Sequence, residues 1–195
     1  MPAAPLPALL AEIRACTACA DLPLGPRPVV QAGATARILI AAQAPGRKVH
    51  ETGIPFNDAS GERLRAWLGL PPEVFYDPAR VAIVPMGFCF PGTGRSGDLP
   101  PRPECAPLWR ERLLAELRQL RLTLVIGRYA QTWHLPGAGG QTLTEVVADW
   151  PARWPATVAL PHPSPRNNLW LKRNPWFEAE LLPALRPLVQ QALAA

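Results

Sequence analysis

No apolar run in this 195-residue chain approaches the roughly 20 residues that cross a bilayer, so a membrane-spanning helix is not expected. The start, Met-Pro-Ala-Ala-Pro-Leu-Pro, has neither the basic region nor the long apolar region of a secretory signal; a frayed start and a cytoplasmic location are expected. There is no internal repeat and no shift of composition that marks a domain boundary, so one domain spanning residues 1–195 is expected. No excess of acidic residues opposes the 20 Lys and Arg. The net charge of +5 is consistent with a polyanionic partner, as it is with a merely solvated basic surface. Cysteine is scarce at 4 residues, which in a cytoplasmic chain argues against a disulfide framework and for metal binding or catalysis. Histidine is scarcer still, with 3 in the chain: His50 and His134 stand in no motif, and His134 is expected in the core of a helix.

What is abundant is proline, 26 residues spread between periodic segments. Helical spacing covers Leu6 to Ala15 (Leu6, Leu9, Leu10, Ile13). A first buried strand is expected at Arg37–Ala42, and an irregular segment from Gln43 to Asp58 follows it. Ser60 is placed to cap a helix through Leu64, Trp67 and Leu68 that ends at Gly69. A second strand is expected at Val81–Met86, then a Gly- and Pro-rich loop to Pro103 and a long helix from Glu104 to Leu120. Leu122–Ile126 and Thr157–Leu160 read as further strands, with helices at Tyr129–Leu135, Thr142–Trp150 and Pro175–Ala194, the last kinked by Pro183 and Pro187. Apolar strands alternating with helices predict an α/β fold, a three-layer sandwich with a central, mainly parallel four-stranded sheet flanked by helices. In such sheets ligands bind beyond the carboxyl ends of the strands, so Gln43–Asp58, Gly87–Arg102 and His162–Asn168 should meet at one edge.

Leu160–Asn168 (Leu-Pro-His-Pro-Ser-Pro-Arg-Asn-Asn) is the most informative stretch. Its three prolines end the strand and hold a histidine, a serine, an arginine and two asparagines on a stiff loop, where geometry is fixed at low entropic cost. Cys16 and Cys19 form a Cys-x2-Cys pair, and Cys89 and Cys105 form a distant second pair. Four sulfurs suit zinc or an iron–sulfur cluster, with four buried small hydrophobes as the bland alternative.

Three blocks together resemble the uracil-DNA glycosylase superfamily, in particular its iron–sulfur-containing bacterial and archaeal branches. Gln43-Ala-Pro-Gly46 with Glu51-Thr-Gly-Ile-Pro-Phe56 is similar to the family's first motif. The four cysteines, with Cys89-Phe-Pro-Gly and Glu104-Cys105-x-Pro107, are similar to its cluster ligands. His162-Pro-Ser-Pro-Arg-Asn167 is similar to the second motif, in the version of the single-strand-selective branch. The resemblance implies a monofunctional DNA glycosylase that hydrolyses the N-glycosidic bond of uracil or a related deaminated base in DNA. It also implies a monomer with a structural 4Fe-4S cluster on Cys16, Cys19, Cys89 and Cys105, zinc being the alternative occupant.

By the same resemblance His162 donates a hydrogen bond to the departing base, and Gln43 stands where relatives carry an acidic residue or an asparagine. A glutamine orients a water but cannot take its proton, so Asp58 and Glu51 are the nearby carboxylates to weigh. Phe56 matches the aromatic that stacks on the extruded base, beside Ala44, Pro45 and Gly46 of the first motif. Pro85 occupies the place of a base-reading asparagine, which leaves Asn57 as the substitute and keeps hypoxanthine and oxidised pyrimidines open as substrates. For DNA, Pro165 and Arg166 match the wedge, and Ser164, Asn167 and Asn168 suit phosphates. Lys172 and Arg173 lie beside Trp170 and Trp176, with Arg47, Lys48, Arg95 and Arg102 extending a basic strip. A non-catalytic binder of damaged or abasic DNA is the alternative reading, and an enzyme of free nucleotides a third, which the positive charge disfavours.

Overall fold

The computed structural model describes residues 5–95 and 97–194. The expected frayed start lies outside the described residues as far as Ala4, whereas Leu6 and Pro7 already belong to helix α1 (Leu6–Arg14), whose Leu6, Leu9, Leu10 and Ile13 are buried. Strand β1 (Ile38–Ala41) follows, then helices α2 (Arg47–Thr52), α3 (Ala59–Leu68) and α4 (Pro72–Phe75), and strand β2 (Val81–Ile83). Two-residue strands β3 (Thr93–Gly94) and β4 (Gly97–Asp98) pair antiparallel as a small hairpin. A wide helical turn, Ala106–Arg110, runs into α5 (Glu111–Ala115). Then come β5 (Leu122–Ile126), α6 (Arg128–His134), α7 (Leu143–Ala148), α8 (Trp150–Arg153) and β6 (Thr157–Leu160). Helix α9 (Asn168–Arg173), a wide turn at Phe177–Leu181 and α10 (Leu182–Ala194) complete the described chain.

The main sheet has the order β2-β1-β5-β6 with every pairing parallel, the expected α/β architecture. Alternation along the strands divides the core. Ile38, Ile40, Leu122, Leu124, Val158 and Leu160 pack under α3 and α10 with Trp67, Leu68, Phe177 and Leu185. On the opposite face Leu39, Ala82 and Val84 meet Leu9 and Ile13 of α1 and Leu113 of α5. Both faces are covered, so the strands read as continuous apolar runs.

Several expected boundaries move. The segment after β1 is not irregular throughout: Arg47–Thr52 forms α2, which gives little signal because it is short and its N-cap, Gly46, makes no side-chain cap bond. Asp58, not Ser60, caps α3, its Oδ1 accepting from the Gly61 N–H at 2.9 Å, while Ser60 is buried in the first turn. Strand β2 stops at Ile83 rather than Met86, and the long helix expected to Leu120 ends with α5 at Ala115.

The helical segment there carries a residue that the periodicity does not single out. Arg110 is 0% exposed, and its Nη1 donates to the carbonyls of Val84 and Pro85, the latter at 2.7 Å. Its Nη2 lies 2.6 Å from Nε2 of His134, and its guanidinium stacks 4.8 Å from the Trp133 ring centroid. Burial pushes Arg110 down to about 10, and burial with the arginine charge pushes His134 down to about 4. His134 is therefore neutral and accepts at Nε2, so it is a partner of a buried cation rather than a plain core residue. Together they pin the backbone where β2 ends.

Replacing Asp58 by alanine removes the α3 cap and is expected to lower stability by about 1 kcal/mol, whereas asparagine, an equally good cap, should leave it nearly unchanged. Urea unfolding of the two variants checks this.

Candidate active site

Parallel pairing sends the carboxyl ends of β1, β2 and β6 to one edge, and there the three odd segments meet around a cavity of about 420 Å³. Gln43, Ala44, Pro45 and Gly46 enter it from the end of β1, and Phe56 and Asp58 from the approach to α3. Asp98 enters from the β3–β4 hairpin, Pro85 from beyond β2, and His162, Ser164, Arg166 and Asn167 from the loop after β6.

The loop that carries His162 is held by several hydrogen bonds. The His162 carbonyl accepts from Asn167 Nδ2 at 2.7 Å, the next carbonyl but one, on Ser164, accepts from Arg63 Nη1 at 3.3 Å, and Ser164 Oγ accepts from the Arg166 N–H at 3.3 Å. The Ser164 N–H donates to His162 Nδ1 at 3.2 Å. Burial pushes the imidazole below its usual range, against the smaller opposing pull of Asp58 and Asp98. A neutral ring with Nδ1 accepting carries its proton on Nε2. The loop thus presents a neutral N–H donor whose tautomer is set by a backbone amide.

Phe56 is the one non-glycine residue with positive φ among those described, at 52°. Such a conformation costs about 1–2 kcal/mol, and three contacts sustain it. Tyr76 donates its hydroxyl to the Phe56 carbonyl at 3.2 Å, Arg65 donates to that hydroxyl at 2.9 Å, and the Phe56 ring meets Phe75 edge-on at 6.3 Å. Gly61 lies under the same peptide: a Cβ there would stand 1.7 Å from the Phe56 carbonyl oxygen. Phe56 is half-buried, one side against the core and the other lining the cavity.

Not every expected residue is brought to the cavity. Asn57 does not line it; its N–H closes a turn onto Ile54 O at 3.3 Å. Glu51 is exposed on α2 and does not line it either, so the carboxylates that do are Asp58 and Asp98, the second of which no motif announced. Gln43 Nε2 donates to Leu99 O at 3.5 Å, which ties the first motif to the hairpin. Pro165–Asn167 forms a short turn of 3-10 type that leads into α9, where Asn168, Lys172 and Arg173 are exposed beyond the cavity.

Trp170 and Trp176 pack against the core. They pack on Phe177 at 5.7 and 6.4 Å, half-buried, with Trp170 Nε1 donating to Thr144 Oγ1 at 2.9 Å. Arg102 leaves the basic strip, being paired with Asp21. Arg47 and Lys48 stay exposed on α2, and Arg95 on the hairpin.

Cys16, Cys19, Cys89 and Cys105 all line a second, separate small cavity, between the end of α1 and the start of the Ala106–Arg110 turn. No pair is joined as a disulfide. Burial pushes the Cys89 and Cys105 thiols up to about 11, and the Phe88 N–H donates to Cys105 Sγ at 3.3 Å. The donor set is right in kind for a four-thiolate centre and is gathered in one place. As the side chains stand, no three His, Cys, Asp or Glu among the described residues form a group that could hold a metal ion.

Because the Gly61 position has no space for a methyl group, Gly61→Ala must displace Phe56. The expected cost is about 1–3 kcal/mol in denaturant unfolding.

A family model described as the uracil DNA glycosylase superfamily matches residues 30–186, which takes in the end of β1, Phe56 and the whole His162 loop. The match covers far more than half of the 195 residues, and the chain belongs to the uracil DNA glycosylase superfamily.

Proposed function

We propose that the protein excises uracil, or a related deaminated base, from DNA by hydrolysing the N-glycosidic bond and leaving an abasic site. The observation that carries this reading is His162: a neutral imidazole whose tautomer is fixed by the Ser164 amide, at a cavity that also holds Phe56. Cleaving the bond between base and sugar leaves negative charge on the base, largely on a pyrimidine O2. A donor aimed at that oxygen stabilises the transition state more than the ground state, and a neutral ring can do so without giving up its proton.

The base must leave the stack to reach such a cavity, at a cost of a few kcal/mol. Phe56 returns roughly 1–3 kcal/mol by stacking. Ser164, Pro165, Arg166, Asn167 and Asn168, with Lys172 and Arg173 exposed on α9, supply the DNA contacts in this reading. Asn57, outside the cavity, has no part in reading the base.

The four cysteines are assigned to a 4Fe-4S cluster. Their common cavity supports this, as does the backbone donor to Cys105. When bound, the cluster would cross-link the end of α1 to the segments on either side of the hairpin loop, a structural role remote from His162. Zinc is the competing occupant.

A second reading, a non-catalytic binder of damaged or abasic DNA, is favoured by one feature: Gln43 cannot accept a proton from water, and its amide donates to Leu99 O.

Oligonucleotides carrying uracil, hypoxanthine or hydroxymethyluracil, treated with alkali after incubation, separate the two readings. The wild type should cut at one or more of these bases, and His162→Ala should be about 100- to 1000-fold slower. No cleavage of any substrate would favour the binder, and undiminished activity in His162→Ala would remove this mechanism. For the metal, protein purified without oxygen should contain about four irons per chain and show broad sulfur-to-iron absorption in the visible range. Stoichiometric zinc would replace that assignment.

A further inference from the structure

Asp98 belongs to neither of the two motifs, yet the hairpin brings it to the same cavity. It ends β4, is exposed at the cavity mouth, and accepts from Thr93 Oγ1 across the β3–β4 pair at 3.4 Å. Its Oδ2 would lie 3.4 Å from a Cβ on Gly46, so the carboxylate rests against the bare backbone of the first motif. The next residue, Leu99, is the one whose carbonyl receives the Gln43 amide. From the other side the Arg166 guanidinium lies on Gly97, close enough that a Cβ there would collide with it. The hairpin is thus seated between both motifs, and its one acidic side chain lines the same cavity as Gln43.

Of the two carboxylates that line the cavity, Asp58 already commits Oδ1 to capping α3 and is half-buried. Asp98 has no such commitment to a helix end, and it stands at the mouth. That height is the relevant one. A base inserted beside Phe56 fills the interior, whereas the sugar remains joined to the backbone, so its C1′ stays at the rim.

We propose that Asp98 is the carboxylate that holds the attacking water and accepts its proton, supplying from the hairpin the acid that Gln43 does not provide; this rests on the glycosylase reading. In the step, the C1′–N bond breaks and its electron pair passes to the base, whose oxygen is held by His162 Nε2–H. The water oxygen bonds to C1′, and the proton that it loses goes to Asp98. The base then takes a proton from solvent as it departs. While the C1′ centre is electron-poor, the negative charge of Asp98 also stabilises it.

Asp98→Asn keeps the size and solvent exposure of the side chain and removes its basicity together with its negative charge. Under single-turnover conditions, on whichever base the wild type cleaves, it should be about 100-fold slower. Binding to the same oligonucleotide with an uncleavable 2′-fluoro sugar should be unchanged or tighter, because one negative charge near the phosphates is gone. Glu62→Gln, an equal loss of charge on α3 outside the cavity, should retain the wild-type rate. Adding Gln43→Glu to Asp98→Asn should restore part of the loss, since the acid then returns to the first motif. An Asp98→Asn rate within about threefold of wild type, far short of what a general base contributes, overturns the inference while leaving the glycosylase reading intact. So does a double variant no faster than the single one. A wild type that cleaves no substrate overturns both.

Discussion

Parallel pairing is the constraint from which the site follows. Because β2, β1, β5 and β6 all run the same way, the chain must leave each of them at one edge, and whatever chemistry lies just after a strand is delivered to a common rim. The crossovers that parallel strands require are the helices, and these close both faces of the sheet. Water is kept from the strands, and the edge loops are left as the place where polar side chains can collect without the cost of burial.

At that rim the protein spends conformational freedom freely. The His162 loop is stiffened by prolines and by bonds from Asn167, Arg63 and its own Ser164 amide. Phe56 is kept in a left-handed conformation by Tyr76 and by the missing side chain of Gly61. Such strain is tolerable because the surroundings over-determine it. Under the rim, Arg110 performs a similar service for the end of β2, by giving two carbonyls a charged donor in a place where no water reaches. Losing such a partner leaves buried acceptors unsatisfied, which is the costly kind of loss. The same arginine sits one helical turn from Cys105, so the segment that starts at the cysteine cavity also holds the carbonyl of Pro85, a residue that lines the candidate site.

The second cavity has a different character. Its thiols come from two pairs far apart in sequence and gather between the end of α1 and the start of the Ala106–Arg110 turn. Arg102, whose charge looked available for DNA, is drawn to Asp21 beside this cavity instead. The tryptophans after the His162 loop are likewise turned to the fold: Trp170 and Trp176 cover Phe177 rather than a ligand. Composition reports that such residues exist, and packing decides which way they face.

Much of the fold was legible in the chain. Leu122–Ile126 and Thr157–Leu160 were readable as strands to the residue, because buried parallel strands are short apolar runs bounded by turn residues. The convergence of Gln43–Asp58, Gly87–Arg102 and His162–Asn168 followed from their places after strands, and the motifs pointed to the superfamily. Sequence could not reveal α2, a helix too short to show a period, nor that Asp58 rather than Ser60 caps α3. It gave Asn57 a part that its side chain does not reach, and it passed over Arg110 and Asp98. These residues were decided by tertiary structure alone, because their meaning lies in partners distant along the chain: the carbonyls of Val84 and Pro85 for one, the backbone of Gly46 for the other. Local pattern fixes which residues are buried and where the chain turns, whereas only the folded arrangement fixes which charges meet.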